Sequence, residues 1–367
     1  MRTYWHNLFR RLQDAENAGP PPNALLNAGA AAASRLYGLG AGMRRALYGL
    51  GLLRVRRLPA PVVSVGNLAV GGTGKTPVVA CLARLLRDRG QRVAILSRGY
   101  GGRAQSATRL SDGERVYHQP PEVGEEPYWL ARALPGVAVY TGASRYAAGM
   151  AAWEEVKPEI FLLDDGFQHM QLHRDLDLVL LDAAAPFANG YVLPRGPLRE
   201  PRTALHEAQV IILTRFDPER HQGELAALER EFPEKTVLTA AILPVRVTSY
   251  PGGQTSAPEA MRHRPLVGFA GLARPEVFTA TLHDLGVDLR GFQAFPDHHA
   301  YSREDLRILT AAARDLGAGA LVTTSKDWAR LGERWEGDVL LWVLEVEVRL
   351  AGSERLLSFL DRQAYRE

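Results

Sequence analysis

The sequence predicts an α/β fold with a largely parallel sheet flanked by helices, and three observations carry that expectation. From residue 60 onward, short apolar runs alternate with amphipathic stretches. The runs are rich in Val, Ile and Leu with little polar alternation, the pattern of strands buried on both faces. The first run, 62–65, opens onto a glycine-rich turn and then an amphipathic stretch, so strand, loop and helix succeed one another. A chain of 367 residues that is 46% hydrophobic has material for two cores, and 23% charged residues exclude a disordered, collagen-like or coiled-coil chain. The lone Cys81 excludes an internal disulfide framework and any all-cysteine metal site, and it fits a reducing compartment.

Taken in order, the first element is basic. Residues 1–60 hold nine Arg against Asp14 and Glu16, ahead of a mildly acidic body. That asymmetry points to an anionic surface as partner, either membrane or nucleic acid. The uncharged run 17–34 is interrupted by Pro20, Pro21 and Pro22. It is too weakly apolar to cross a bilayer, which takes about 20 mostly apolar residues, and no secretory pattern is present. Over 24–53, Leu and Tyr are set among Arg35, Arg44, Arg45 and Arg54 at helical spacing. Such a helix either lies on anionic lipid or packs on its own domain.

Strands are expected at 62–65, 93–96, 137–140, 160–163, 178–181 and 210–213, with helices between them such as 75–89 and 145–155. A second set of strands follows at 237–242, 266–270, 289–294, 320–323 and 339–344. Pro251-Gly252-Gly253 lies between the two sets and reads as a linker region.

The strongest local signal is Ala69-Val70-Gly71-Gly72-Thr73-Gly74-Lys75-Thr76, a P-loop pattern with Ala in place of the first Gly. Gly71, Gly72 and Gly74 let successive backbone N–H groups face phosphate oxygens, and the following helix N-terminus adds partial positive charge. Lys75 has the length to reach the β- and γ-phosphates, and the Thr76 hydroxyl suits Mg²⁺. Only four Lys occur among 44 basic residues, so a retained Lys suggests that the planar fork of Arg does not serve there.

Such a loop also needs a carboxylate at the end of a neighbouring strand to hold the metal. Asp164 and Asp165 follow the apolar run 160–163, and Asp182 after 178–181 is a rival. Asn-Lys-x-Asp, the guanine-specificity motif, is absent, and Thr324-Ser325-Lys326-Asp327 has the wrong spacing, which favours ATP over GTP. Two further groups stand out: the acidic turn Glu122-Val123-Gly124-Glu125-Glu126-Pro127, and Phe295-Pro296-Asp297-His298-His299, where a His beside a carboxylate suits proton transfer from a hydroxyl. Read alone, each fits a solvated loop better than a catalytic group.

At this point the chain resembles the tetraacyldisaccharide 4′-kinase (lipid A 4′-kinase) family. The resemblance rests on 66–68 with 71–77, Ser97-Arg98-Gly99-Tyr100-Gly101-Gly102, Val123-Gly124-Glu125-Glu126-Pro127 and Asp164-Asp165-Gly166-Phe167-Gln168-His169. It continues through Gly196-Pro197-Leu198-Arg199-Glu200-Pro201, Asp297-His298 and Lys326-Asp327, in the family's order and over most of the chain. It implies ATP- and Mg²⁺-dependent phosphorylation of the 4′-hydroxyl of an acylated glucosamine disaccharide 1-phosphate, giving lipid IVA at the cytoplasmic face of a bacterial inner membrane. It implies a basic membrane-associating segment over 1–58, a P-loop kinase core over 59–248 and a smaller C-terminal α/β domain over 249–367.

Residue by residue, the resemblance makes Gly71, Gly72, Thr73, Gly74, Lys75 and Thr76 the nucleotide cradle. Thr76, Asp164, Asp165 and Glu126 become metal-side oxygens. The family's catalytic pair is an Asp in a Gly-Asp-Glu turn with the His of Asp-His. His298 matches the latter, whereas the Asp position holds Glu125, one methylene longer. Glu126 and Asp297 are the alternative carriers of that role. Arg98, Arg195 and Arg199 are the arginines placed for the acceptor's phosphate, since guanidinium forks suit phosphate oxygens. The competing expectations are a P-loop GTPase or ATPase of metallochaperone or switch type without a lipid acceptor, and a nucleic-acid-associated ATPase. The Arg residues interleaved with Leu and Ala, and the acidic body, argue against nucleic acid.

Overall fold

The computed structural model describes residues 24–100, 102, 106–297, 299–331, 335 and 337–364. They form two compact units, one running to Ala241 and resuming at Arg349, the other Ile242–Val348.

The first unit opens with α1 (Ala24–Gly49). One face of it is held: Ser34 is buried and donates Oγ–H to Val192 O at 2.7 Å. The opposite stripe is open, with Leu36, Leu39 and Met43 exposed at 71, 70 and 65%. Among the described residues no helix is long and apolar enough to cross a membrane.

The elements that follow are β1 (Val62–Asn67), α2 (Lys75–Asp88), β2 (Val93–Ser97), β3 (Thr108–Ser111), α3 (Glu125–Ala133), β4 (Ala138–Thr141), α4 (Arg145–Val156), β5 (Ile160–Asp164), β6 (Leu176–Asp182), β7 (Val210–Thr214), α5 (Gln222–Glu231) and β8 (Thr236–Tyr250). The sheet order is β8-β7-β6-β1-β5-β2-β4-β3. Every pair is parallel except β3 with β4. The six strands expected here all form, each extended by one to three residues or shifted by one. The apolar runs have the reason inferred for them: β1, β2, β4, β5, β6 and β7 are buried along their whole length. Alternate residues sort to opposite faces. Val62, Leu96, Tyr140, Phe161 and Leu163 share one core cluster with Ala148 and Ala152 of α4. Val179, Leu181, Ile211 and Leu213 share another with Leu228 and Phe232. At about 1.5–3 kcal/mol for each large apolar side chain buried, these two layers are the main stabilisation of the unit.

The second unit contains β10 (Pro265–Ala270), α6 (Pro275–Asp284), β11 (Asp288–Ala294), α7 (Arg303–Asp315), β12 (Ala320–Thr324), α8 (Ser325–Arg330) and most of β13 (Leu340–Ala351). Its order is β11-β10-β12-β13, all parallel. α7 starts at a capping box in which Ser302 Oγ accepts from Asp305 N and the Asp305 carboxylate accepts from Ser302 N. Pro251-Gly252-Gly253, expected as a linker, is instead a hairpin turn: β9 (Gln254–Ser256) folds back antiparallel on the end of β8. Gly252 and Gly253 take φ of 116° and 66°, which makes that reversal possible. The change of unit comes earlier, inside β8, and the final helix α9 (Ser353–Ala364) belongs to the first unit.

Candidate functional site

The strand order reverses direction at β1. The chain leaves β1 for β2 on one side, returns to β5 beside it, and then crosses to β6 on the other. At such a switch point the carboxyl ends of neighbouring strands leave a crevice for ligand. Here those ends carry Asn67, Asp164 and Asp182.

The glycine-rich loop starts at Asn67, which is fully buried. Its amide nitrogen donates to Ala69 O at 2.7 Å and to Thr73 Oγ1 at 2.8 Å, closing the loop across its mouth. Gly71 and Gly74 sit at φ of 112° and 81°, which a Cβ would penalise. Residues 68–70 are also held from the side, since Val70 N donates to Pro197 O and Arg199 N to Leu68 O. The loop feeds directly into α2, whose first two residues are Lys75 and Thr76.

Lys75 Nζ donates to Asn67 Oδ1 at 3.2 Å and stands 3.7 Å from Asp165 Oδ1. Burial lowers its pKa, and Asp165, Asp164 and Glu126 act against that. Asp164 ends β5 and is buried, with Ser97 Oγ donating to its Oδ2 at 3.4 Å. Asp165 follows in the left-handed region at φ 57°, which Asp tolerates better than most residues. Burial pushes the Asp165 carboxyl up, but Lys75, Arg199 and Arg145 outweigh it and hold it below the ordinary carboxylate value. Arg199 makes two bonds to Asp165, at 2.9 and 3.1 Å.

Glu125 and Glu126 open α3, directly after Gly124. A Cβ on Gly124 would lie 2.3 Å from Tyr100 O, and one on Gly102 would lie 2.9 Å from Gly124 N. Backbone therefore packs on backbone where the Arg98 loop meets the acidic turn. Arg145, the first residue of α4, is 4% exposed. Burial and then Arg98 lower it to about 10, while Asp165 and Asp164 oppose the shift. His169 is lowered to about 4 by burial and then by Arg145, Arg174, Arg44 and Arg98, so it is neutral at pH 7.

The first unit thus brings Lys75, Asp164, Asp165, Glu126 and Arg199 into one electrostatic cluster, with Arg98 joined to it through Arg145. Arg195 is placed differently: its guanidinium lies 3.7 Å over the Tyr191 ring. Asp182, the rival metal position, is paired with Arg215 at 2.5 Å. In the second unit, Asp297 Oδ1 is 3.8 Å from Arg330, which also bonds the fully buried Asp327 at 3.0 Å. His298 lies outside the described residues.

Sequence reasoning missed Asn67, Arg145, Thr214 and Arg215. A buried polar residue closing an apolar strand was the available signal for Asn67 and Thr214. Arg145 and Arg215 carried none.

Among the described residues, no group of three or more His, Cys, Asp and Glu side chains is arranged to hold a metal by itself. The oxygens of Thr76, Asp164 and Asp165 are nevertheless the hard donors Mg²⁺ takes when phosphates and water complete its shell. This donor set fits that ion.

Residues 27–365 match the family model described as tetraacyldisaccharide-1-P 4′-kinase. The tetraacyldisaccharide 4′-kinase of Geobacter metallireducens is 43% identical over 327 residues, which is 89% of this chain and 95% of that protein. The protein of the same name from Anaeromyxobacter sp. (strain Fw109-5) is 43% identical over 344 residues, 93% of this chain and 92% of that one. The crystal structure of LpxK from Aquifex aeolicus in complex with ATP aligns with a TM-score of 0.75 at 33% identity, covering 93% of this chain and 100% of that one.

Proposed function

The chain belongs to the tetraacyldisaccharide 4′-kinase family, and on that premise we propose how its own residues carry the reaction. It is an ATP-dependent kinase that phosphorylates the 4′-hydroxyl of a tetraacyldisaccharide 1-phosphate. The observation that carries the assignment is the cluster at the mouth of the glycine-rich loop, where the Lys75 ammonium bonds Asn67 and stands 3.7 Å from Asp165, with the charges of Asp164 and Glu126 also favouring its protonated form.

A sugar hydroxyl is a poor nucleophile, and phosphoryl transfer is mostly positioning and charge neutralisation. The loop amides from Gly71 to Thr76 grip the triphosphate. Lys75 moves from its bond with Asn67 to the β- and γ-phosphate oxygens and offsets the charge that spreads over them. Thr76, Asp164 and Asp165 would hold Mg²⁺, which would supply further neutralisation of the phosphate oxygens. Glu125, half-buried at the start of α3, orients the acceptor hydroxyl and takes its proton, with Glu126 beside it. Asp297 and His298 are assigned to the same proton-handling role. Arg98, Arg195 and Arg199 supply forks for the acceptor's phosphate, and Arg199 also balances Asp165.

The exposed stripe of Leu36, Leu39 and Met43, flanked by Arg35 and Arg44, suits an anionic lipid surface, where a substrate with four acyl chains resides. We place the enzyme peripherally at the cytoplasmic face of the inner membrane. Replacing those three residues by Glu is expected to abolish sedimentation with vesicles containing phosphatidylglycerol; unchanged sedimentation would contradict the placement. The kinase assignment is tested by ATP turnover with and without the acylated disaccharide. Turnover indifferent to that lipid would favour a switch-type ATPase instead.

A further inference from the structure

The glycine-rich loop is held by more than its own turn. β7 ends at Thr214, a fully buried residue whose Oγ1 donates to Thr73 O at 2.8 Å. The next residue, Arg215, takes φ 55°, a conformation that non-glycine residues adopt rarely. Its NH1 and NH2 both donate to Gly72 O, at 2.9 and 2.8 Å. NH2 also donates to Asp182 Oδ2 at 2.5 Å, and the Asp182 side chain is only 8% exposed. Asp182 in turn accepts from Ala184 N at 3.2 Å, which fixes its own rotamer.

Two adjacent carbonyls of the loop, those of Gly72 and Thr73, are therefore tied to the ends of β6 and β7. Across a trans peptide the N–H points opposite to the C=O. Holding those two carbonyls on the sheet side turns the N–H groups of Thr73 and Gly74 to the other. Thr73 N closes onto Gly71 O at 3.1 Å, and the Gly74 amide follows it into α2. Around Gly71 and Gly72 there is open space, with nothing within 4 Å of where a Cβ would stand. Side-chain packing therefore does not set the loop at these two positions, and a glycine-rich segment carries the largest conformational entropy to lose.

We propose that Arg215, oriented by Asp182, is a positioning residue that presets the phosphate-gripping shape of the loop through the Gly72 carbonyl, with Thr214 doing the same at Thr73. The proposal rests on the loop being the nucleotide site. Because its target is the main chain that shapes the loop and no part of a base, its effect is on triphosphate binding whatever the base attached.

The test compares wild type with Arg215→Gln and Arg215→Lys, measuring binding of ATP and of inorganic tripolyphosphate by calorimetry, then kcat and KM for ATP at saturating acceptor. Arg215→Gln is expected to weaken both ligands equally, by about tenfold, the loss of one charge-assisted contact. KM for ATP rises to match, kcat changes less than about threefold, and Arg215→Lys recovers part of the loss. Thermal midpoints without ligand fall in Arg215→Gln, because Asp182 loses its cation, so binding and kinetics are compared well below the midpoint, where the KM-against-kcat split separates positioning from a general loss of structure. Unchanged affinity in Arg215→Gln would overturn the proposal, as would a loss confined to ATP, which would make Arg215 a base contact. If Arg215→Gln does not fold, Thr214→Val, nearly equal in shape, must weaken both ligands for the proposal to stand. A wild type that binds neither ligand would overturn the nucleotide assignment itself, and this inference with it.

Discussion

The carboxylate of Asp165 stands 3.7 Å from the ammonium of Lys75, and Arg199 holds it from the other side at 2.9 Å. Lys75 is thus neutralised in advance by a partner that can release it to phosphate. Lys75→Ala is expected to lower kcat by at least about 10³-fold, since it removes a charge aimed at the transferring group. Asp165→Asn removes the leading influence that keeps the buried ammonium protonated. The Lys75 pKa then falls further, so the alkaline limb of the kcat/KM profile moves to lower pH. A limb that stays in place would show that Lys75 does not depend on Asp165.

Glu125 stands where the family resemblance places Asp. Glu125→Ala is expected to lower kcat by about 10²–10⁴-fold, the usual worth of a positioned base, with little change in ATP affinity. Glu125→Asp should retain measurable turnover. If Glu125→Ala is near normal while Glu126→Ala is inactive, the proton-handling role sits one residue later.

His169 makes stability depend on pH. Its folded pKa of about 4 lies below the ordinary value of 6.5. Between those values the unfolded chain binds the proton and the folded one does not. Stability therefore rises with pH through that window and falls on acidification from 6.5 toward 4. The limiting slope is about 1.4 kcal/mol per pH unit for one proton. Thermal midpoints at pH 7 and pH 5 should differ more for wild type than for His169→Gln; equal differences would contradict this.

α1 is tied to the core by Arg45, which pairs with Glu200 and Glu207 and lies over the Phe167 ring. The Glu200 side chain is 5% exposed, and burial raises its pKa even beside Arg45. Arg45→Ala leaves that carboxylate buried without its cation and is expected to cost about 3–5 kcal/mol, read by denaturant unfolding. Arg45→Met combined with Glu200→Gln should recover most of the loss.

Much of this architecture is legible in the residues themselves, for a physical reason. Strands buried on both faces must be apolar along their whole length, so 62–65, 160–163 and 210–213 announce themselves. A glycine-threaded loop before Lys75 is equally hard to disguise. Pro251-Gly252-Gly253 misleads because a hairpin turn and a linker ask for the same residues, and only the pairing of Thr248 with Thr255 separates them. Arg215 and Arg145 are invisible in the sequence for another reason. In a chain with 44 basic residues, one Arg differs from the next only through what it touches after folding. The partners are Gly72 and Asp182 for Arg215, and the Gly142 and Ala143 carbonyls for Arg145, which also feels the charges of Asp164 and Asp165.

The most direct test is transfer of label from [γ-³²P]ATP to a tetraacyldisaccharide 1-phosphate in mixed micelles, with the product mapped by mass spectrometry. A bisphosphorylated glycolipid labelled on the 4′-oxygen, absent with Lys75→Ala, is the predicted result. Label appearing only as inorganic phosphate, at a rate the lipid does not alter, would contradict the account.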